Sequence, residues 1–137
     1  MASIGVLLLQ LGTPEAPTRP ALRRYLAEFL SDHRVIDLPR WQWLPILHGI
    51  VLNTRPQKSA MEYAKVWTPE GSPLLVTSRR QAALLEAALR SRGIDAVVRV
   101  AMRYGRPSTE DAVAELEAAG VSRIVALPMY PQYASAT

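Results

Sequence analysis

The chain has no cysteine, which excludes disulfides, thiolate metal sites and cysteine nucleophiles and fits a reducing compartment. It also has no basic amino-terminal stretch and no apolar run of membrane-spanning length: Met1-Ala2-Ser3 leads directly into Gly5-Val6-Leu7-Leu8-Leu9. Neither a signal peptide nor a membrane span is expected, and the protein reads as cytoplasmic. Lysine is scarce, Lys58 and Lys65 being the only examples, so arginine carries the net charge of +4. The matching abundance of alanine points to a GC-rich genome as the bland source of that arginine. The sharper reading is an anionic partner, because guanidinium forks match carboxylates and phosphates. No basic run is interleaved with aromatics and no nucleic-acid motif occurs, so nucleic acid is not expected as a partner.

Chemical signatures are missing as well. Gly12-Thr13-Pro14, which follows the first apolar run, is neither G-x-G-x-x-G nor a P-loop, and this removes the usual dinucleotide fingerprint. A flavodoxin-like phosphate binder is disfavoured on the same ground. His33 and His48 are the only histidines, and neither has a companion at metal-ligand spacing. The nucleophile-base pair of a hydrolase and the paired carboxylates of a glycosidase are not visible. No metal ligand is assigned.

What is present is a chain of 137 residues, 49% of them apolar, enough for one domain with a real core. Residues 4–9 form a continuous apolar run, too short for a helix, that reads as a buried parallel strand. From Thr18 the pattern changes to Leu22, Tyr25, Leu26, Phe29 and Leu30, the stripe of an amphipathic helix with Thr18 as its cap and Pro20 in the first turn. Ser31-Asp32-His33-Arg34 ends it, and Arg19 and Arg23 on its outer face read as solvated. Residues 38–57 are the oddest segment. Pro39, Pro45 and Gly49 predict that no long helix forms there, and the segment holds two of the three tryptophans among large aliphatics. This is the composition of a membrane-water boundary, and equally of a loop packed on its own core.

Further on, Ser59-Ala60-Met61-Glu62 predicts a capping box opening a short helix with Ala60, Tyr63, Ala64 and Trp67 on one face. Glu70-Gly71-Ser72-Pro73 interrupts. Ser78-Arg79-Arg80-Gln81 then predicts the start of a second helix, running through Leu84, Leu85 and Leu89 to Gly93. Residues 95–102 read as a strand, 108–119 as a helix and 123–127 as a strand. The alternation predicts an α/β fold, a Rossmann-like open parallel sheet with right-handed crossovers and flanking helices. Residues 127–137 form a strand-end loop with no helix after it, so the sheet is expected to be incomplete at its carboxyl-terminal side.

In such a sheet, ligands bind beyond the carboxyl ends of the strands, where helix N-termini gather. Thr13, Arg103, Tyr104, Tyr130, Gln132 and Tyr133 fall at those ends, with Tyr63 and Ser72 available from the intervening segment. Rings and hydrogen-bond donors without an acid-base pair suit a large, flat, anionic ligand. Tyr63 taken alone fits a core-facing helix position better than a ligand role. For Arg103 and Tyr104 the functional reading is favoured, since strand-end polar residues are disproportionately functional.

Five spaced stretches stand out: Leu-Gly-Thr-Pro from Leu11, Arg-Arg-Tyr-Leu-Ala-Glu-Phe-Leu-Ser-Asp from Arg23, Glu-Gly-Ser-Pro-Leu from Glu70, Ala-Met-Arg-Tyr-Gly from Ala101 and Tyr-Pro-Gln-Tyr from Tyr130. Together, and in this order, they resemble the amino-terminal half of the ferrochelatase family. The resemblance implies a porphyrin chelatase that inserts ferrous iron into protoporphyrin IX in the last step of haem biosynthesis, built from two Rossmann-like halves around a cleft. Residues 1–137 would be most of the first half. By position, Leu11, Tyr63, Ser72, Arg103, Tyr104 and Tyr130 resemble porphyrin-contacting residues. Trp41, Trp43, Leu44 and Ile46 resemble the apolar lip of the pocket, which implies a peripheral contact at the inner face of the membrane. Leu11 stands where relatives carry methionine or tyrosine near the metal. Ser135 stands where cluster-bearing relatives carry cysteine, so no iron-sulfur ligand and no cofactor is implied here.

The resemblance further implies ring distortion, removal of pyrrole protons by a histidine and delivery of iron past a carboxylate. Both of those residues belong to the carboxyl-terminal half of the family, and neither His33 nor His48 matches the histidine. No catalytic residue is therefore assigned to this chain, which alone is expected to be inactive in iron insertion. A module that binds a tetrapyrrole or another planar anion without turnover is the alternative.

Overall fold

A computed structural model describes residues 4–131; Gln132, Tyr133 and Ser135 lie outside them. Three strands, β1 (Ile4–Thr13), β2 (Ala96–Gly105) and β3 (Arg123–Pro128), form a parallel sheet in the order β2-β1-β3. Five α-helices accompany them: α1 (Arg19–Ser31), α2 (Arg40–Ile46), α3 (Leu52–Val66), α4 (Pro73–Ser91) and α5 (Thr109–Ala118). This is the open, helix-flanked α/β sheet the alternation predicts.

Both faces of the central strand are covered, which is why its sequence runs apolar without alternation. Val6, Leu8, Val98, Val100 and Met102 pack against Ala82 of α4, while Leu7 and Ala101 on the other face pack against Ala112 and Leu116 of α5. The strand ends approach unusually closely at Gly12, where φ is +143° and a Cβ would lie 2.1 Å from the Tyr104 carbonyl oxygen. Only glycine lets β1 and β2 stay paired there.

The outer edge of β2 is closed by side chains and a loop. The Val98 N–H donates to Glu86 Oε2 (2.9 Å), and the Val98 carbonyl accepts from Arg99 Nη1 (3.0 Å). Four residues on, the Met102 N–H donates to the Pro107 carbonyl (2.8 Å) and the Met102 carbonyl accepts from Thr109 Oγ1 (3.1 Å).

Several helix boundaries differ from expectation. Thr18 caps α1 through its side chain and Ser108 caps α5 likewise, as the sequence predicts. From Arg40 on, however, the 38–57 segment is helical through Pro45, Gly49 and Pro56, with Pro39 at the N-cap: α2 runs into a π-helical stretch, Leu47–Val51, and on into α3. Pro56 cannot donate to the carbonyl four residues back, that of Leu52, and the Arg23 guanidinium donates to it instead at 2.5 Å. Arg23 is thus a half-buried tie between α1 and α3, not a solvated residue. It also donates to Asn53 Oδ1 at 3.1 Å. Ser59 and Ser78 do not open helices but sit inside α3 and α4, and Ser72 takes the cap position of α4. A Ser-x-x-Glu pattern in a helix interior is indistinguishable from a capping box without knowing where the chain turns. Strand β2 also extends to Gly105, so Arg103 and Tyr104 are its last side chains and not part of a following tip.

Candidate functional site

The carboxyl ends of the three strands carry Leu11 and Thr13, then Arg103 and Tyr104, then the chain leading to Tyr130. They are held side by side by pairing of Gly12 with Tyr104 and by the Met129 N–H donating to the Leu9 carbonyl (2.9 Å). Helix α1 lies across the β2 end. Its Phe29 ring meets Tyr104 edge-on with centroids 5.0 Å apart and stacks with Tyr25 at 6.0 Å. The Arg103 guanidinium lies 4.8 Å from the centre of the Tyr104 ring, a cation-π distance.

The electrostatic centre of this cluster is Asp32, immediately after α1. Its Oδ2 accepts from the Tyr104 hydroxyl (2.7 Å) and from Arg103 Nη2 (2.9 Å), while Oδ1 accepts from the Arg34 N–H (2.9 Å). The Tyr104 hydroxyl, then the Arg34 N–H, and then the Arg103 charge hold the Asp32 carboxyl below the ordinary carboxylate range, overcoming its partial burial. Burial, and next the bond to Asp32, push the Tyr104 phenol up to about 12. Tyr25 is pushed up as well, first by burial and then by its neighbour Tyr63, and Tyr63 by burial. These phenols are hydrogen-bond donors and stacking surfaces at neutral pH, not bases.

The residues expected at the site divide by position. Arg103 and Tyr104 are brought together on Asp32, but Tyr104 is only 1% exposed and Arg103, with 37% of its side chain exposed, is the accessible member. Thr13 and Ser72 meet in a buried bond, Thr13 Oγ1 donating to Ser72 Oγ at 2.6 Å. Leu11 and Tyr130 are half-buried at strand ends. Tyr63, half-buried on α3, meets Trp67 edge-on at 6.3 Å. Along the expected lip, Trp41 is 76% exposed and Ile46 is exposed, while Leu44 is half-buried. Trp43 is anchored by its indole N–H on the Leu30 carbonyl at 2.6 Å.

Sequence reasoning misses these roles: Tyr25 and Phe29 read as a helix stripe, Asp32 as part of its terminator, and Glu28 carries no reading of its own. One signal for the acids is present: carboxylates at a helix C-terminus oppose the helix dipole and need cations elsewhere. Arg34, Arg40 and Arg103 line, with Asp32 and Glu28, a concavity of about 370 Å³. Among the described residues, no group of three or more His, Cys, Asp or Glu converges in a way that could hold a metal ion. The arrangement presents a guanidinium and aromatic rings suited to a planar anion, with the Asp32 carboxylate and the exposed His33 imidazole 4.0 Å apart beside them.

A family model described as Ferrochelatase matches residues 3–137. The chain is 58% identical over 134 residues to the ferrochelatase of Bordetella pertussis (strain Tohama I), covering 98% of this chain and 37% of that protein. It is 59% identical over 132 residues to the ferrochelatase of Methylibium petroleiphilum (strain PM1), covering 96% and 36%. Against the ferrochelatase of Neisseria gonorrhoeae (strain FA 1090) the identity is 56% over 132 residues, covering 96% and 38%. The chain thus spans little more than a third of the length of these curated relatives.

Proposed function

The chain belongs to the ferrochelatase family, and from that premise we propose that the whole protein inserts ferrous iron into protoporphyrin IX in the last step of haem biosynthesis, with residues 1–137 forming one wall of the porphyrin cleft. The observation that carries this reading is the strand-end cluster: an accessible guanidinium held on Asp32, beside the Tyr25-Phe29-Tyr104 rings. Arg103 meets a porphyrin carboxylate through its remaining N–H groups, and Leu11, Tyr63 and Tyr130 supply apolar and aromatic contact. Ser72 and Tyr104 lie beneath that surface and hold it. Their work is orientation and exclusion of water. The proton acceptor and the carboxylate that passes iron inward lie outside residues 1–137. Both substrates, porphyrin and ferrous iron, come to the cleft from solution or from a membrane surface.

The lip supports a peripheral membrane contact. Leu38, Trp41, Ile46 and Ile50 are all exposed, flanked in sequence by Arg34, Arg40, Arg55 and Lys58. Among the described residues no helix is long and apolar enough to cross a membrane. A second reading, binding of a planar anion without turnover, draws on the same guanidinium and rings; of the two histidines, His33 lies 4.0 Å from Asp32 Oδ1 at this cluster, and His48 is exposed on the π-helical stretch.

The test is an absorption titration with protoporphyrin followed by an iron-insertion assay on the full-length protein. Arg103→Leu is expected to weaken porphyrin binding or turnover about tenfold or more, as loss of a charge-assisted bond does. Arg79→Leu, on the exposed surface of α4, is expected to leave both near wild type. Equal effects of the two substitutions overturn the assignment, and saturable binding with no insertion by the wild-type protein selects the second reading.

A further inference from the structure

An arginine at the end of a strand has a long, flexible side chain, and its value as a ligand group depends on what holds its planar fork. For Arg103 that is one carboxylate. Asp32 Oδ2 takes Nη2 at 2.9 Å together with the Tyr104 hydroxyl at 2.7 Å. The other oxygen, Oδ1, takes the backbone N–H of Arg34 at 2.9 Å, a local turn that fixes the carboxylate's own direction. The carboxylate is therefore oriented by the backbone and in turn orients two consecutive side chains of β2.

The same turn of α1 grips β2 at two further points. Glu28 Oε2 accepts from the Gly105 N–H at 3.0 Å, and Phe29 lies against the Tyr104 ring. Glu28, Phe29 and Asp32, spaced so as to share a helix face, thus hold Gly105, Tyr104 and Arg103 in register. The end of α1 is itself secured, because its carbonyls at Leu30 and Ser31 accept from the Trp43 indole and from Arg40 Nη1 (3.0 Å). Two carboxylates at a helix C-terminus work against the helix dipole. Their placement is explained by what they hold.

We propose that Asp32 is a positioning residue for porphyrin binding, fixing the Arg103 fork so that Nε and Nη1 face the ligand. This rests on the cleft reading of Arg103. Asp32 does not itself touch the porphyrin: its two oxygens are occupied by Arg103, Tyr104 and Arg34, and its action is transmitted through the guanidinium. Glu28, His33, Arg34 and Arg40 are the other charged or titratable groups around it, and the bond to Arg103 Nη2 is made by Asp32.

The test is a double-mutant cycle in the full-length protein, with the protoporphyrin Kd from absorption titration as the readout. Asp32→Asn alone is expected to weaken binding about tenfold through loss of a charge-assisted pair. In an Arg103→Leu background the same substitution is expected to change Kd less than twofold, because the group it positions is gone. Equal weakening by D32N in both backgrounds overturns the inference and leaves the cleft reading standing. Unchanged binding by Arg103→Leu alone overturns the cleft reading, and the inference with it. A spectroscopic tyrosine titration provides the independent check: D32N is expected to lower the Tyr104 phenol from about 12, and an unmoved titration overturns the inference. If D32N does not fold, Tyr104→Phe removes one of the donors that fix the carboxylate. It is then expected to weaken binding in the wild-type background and not in the Arg103→Leu background, and equal weakening in both overturns the inference.

Discussion

Ser78 lies on the core-facing stripe of α4 between Leu75 and Ala82, wholly buried, and its hydroxyl has no hydrogen-bond partner among the described residues. A buried hydroxyl without a partner keeps its desolvation cost and gains nothing in return. Ser78→Ala is therefore expected to raise the unfolding free energy by about 1 kcal/mol, read as a higher urea midpoint with an unchanged slope. A lower midpoint would show that the hydroxyl is satisfied. At this scale Arg103 is legible in the sequence, because a polar residue after a β-branched run marks a strand end. Asp32 is not: what makes it central is a contact 71 residues away, and no local pattern carries that distance.

Helix α3 passes Pro56 because Arg23 satisfies the Leu52 carbonyl that proline cannot. Arg23→Ala is expected to destabilise the protein by roughly 1–3 kcal/mol, the cost of a buried carbonyl left unpaired. In a Pro56→Ala background that cost should shrink, since alanine restores the backbone N–H. Chemical denaturation of the four proteins checks this, and strictly additive effects would show that Arg23 acts elsewhere. The strands, α1 and α5 are legible from apolar runs, capping residues and terminal glycines. The course of residues 38–66 is not, because proline and glycine signal breaks only when no distant side chain repairs the ladder. The Arg23 interaction spans 29 residues, beyond any periodicity a local window detects.

On the molecule as a whole, the lip divides into an anchored and a free part. Trp41 is 76% exposed, whereas Trp43 donates to the Leu30 carbonyl. Trp41→Ser together with Ile46→Ser is expected to reduce binding to anionic-lipid vesicles several-fold while leaving the thermal midpoint nearly unchanged. Trp43→Ser is expected to cost about 2 kcal/mol of stability, through lost packing and an orphaned helix-end carbonyl. Vesicle sedimentation and thermal unfolding separate the two, and a stability loss at Trp41 matching that at Trp43 would place the whole lip in the core.

The sheet's two margins are unlike. Along β2, Glu86, Arg99, Pro107 and Thr109 occupy the outward groups of Val98 and Met102, so a strand arriving there would first have to displace them. Along β3, which pairs only with β1 among the described residues, Ile124, Val125 and Leu127 are exposed. Lengthening of this sheet is therefore directional. A strand added along β2 has to break those bonds first, whereas one added along β3 meets no such competition from the described residues.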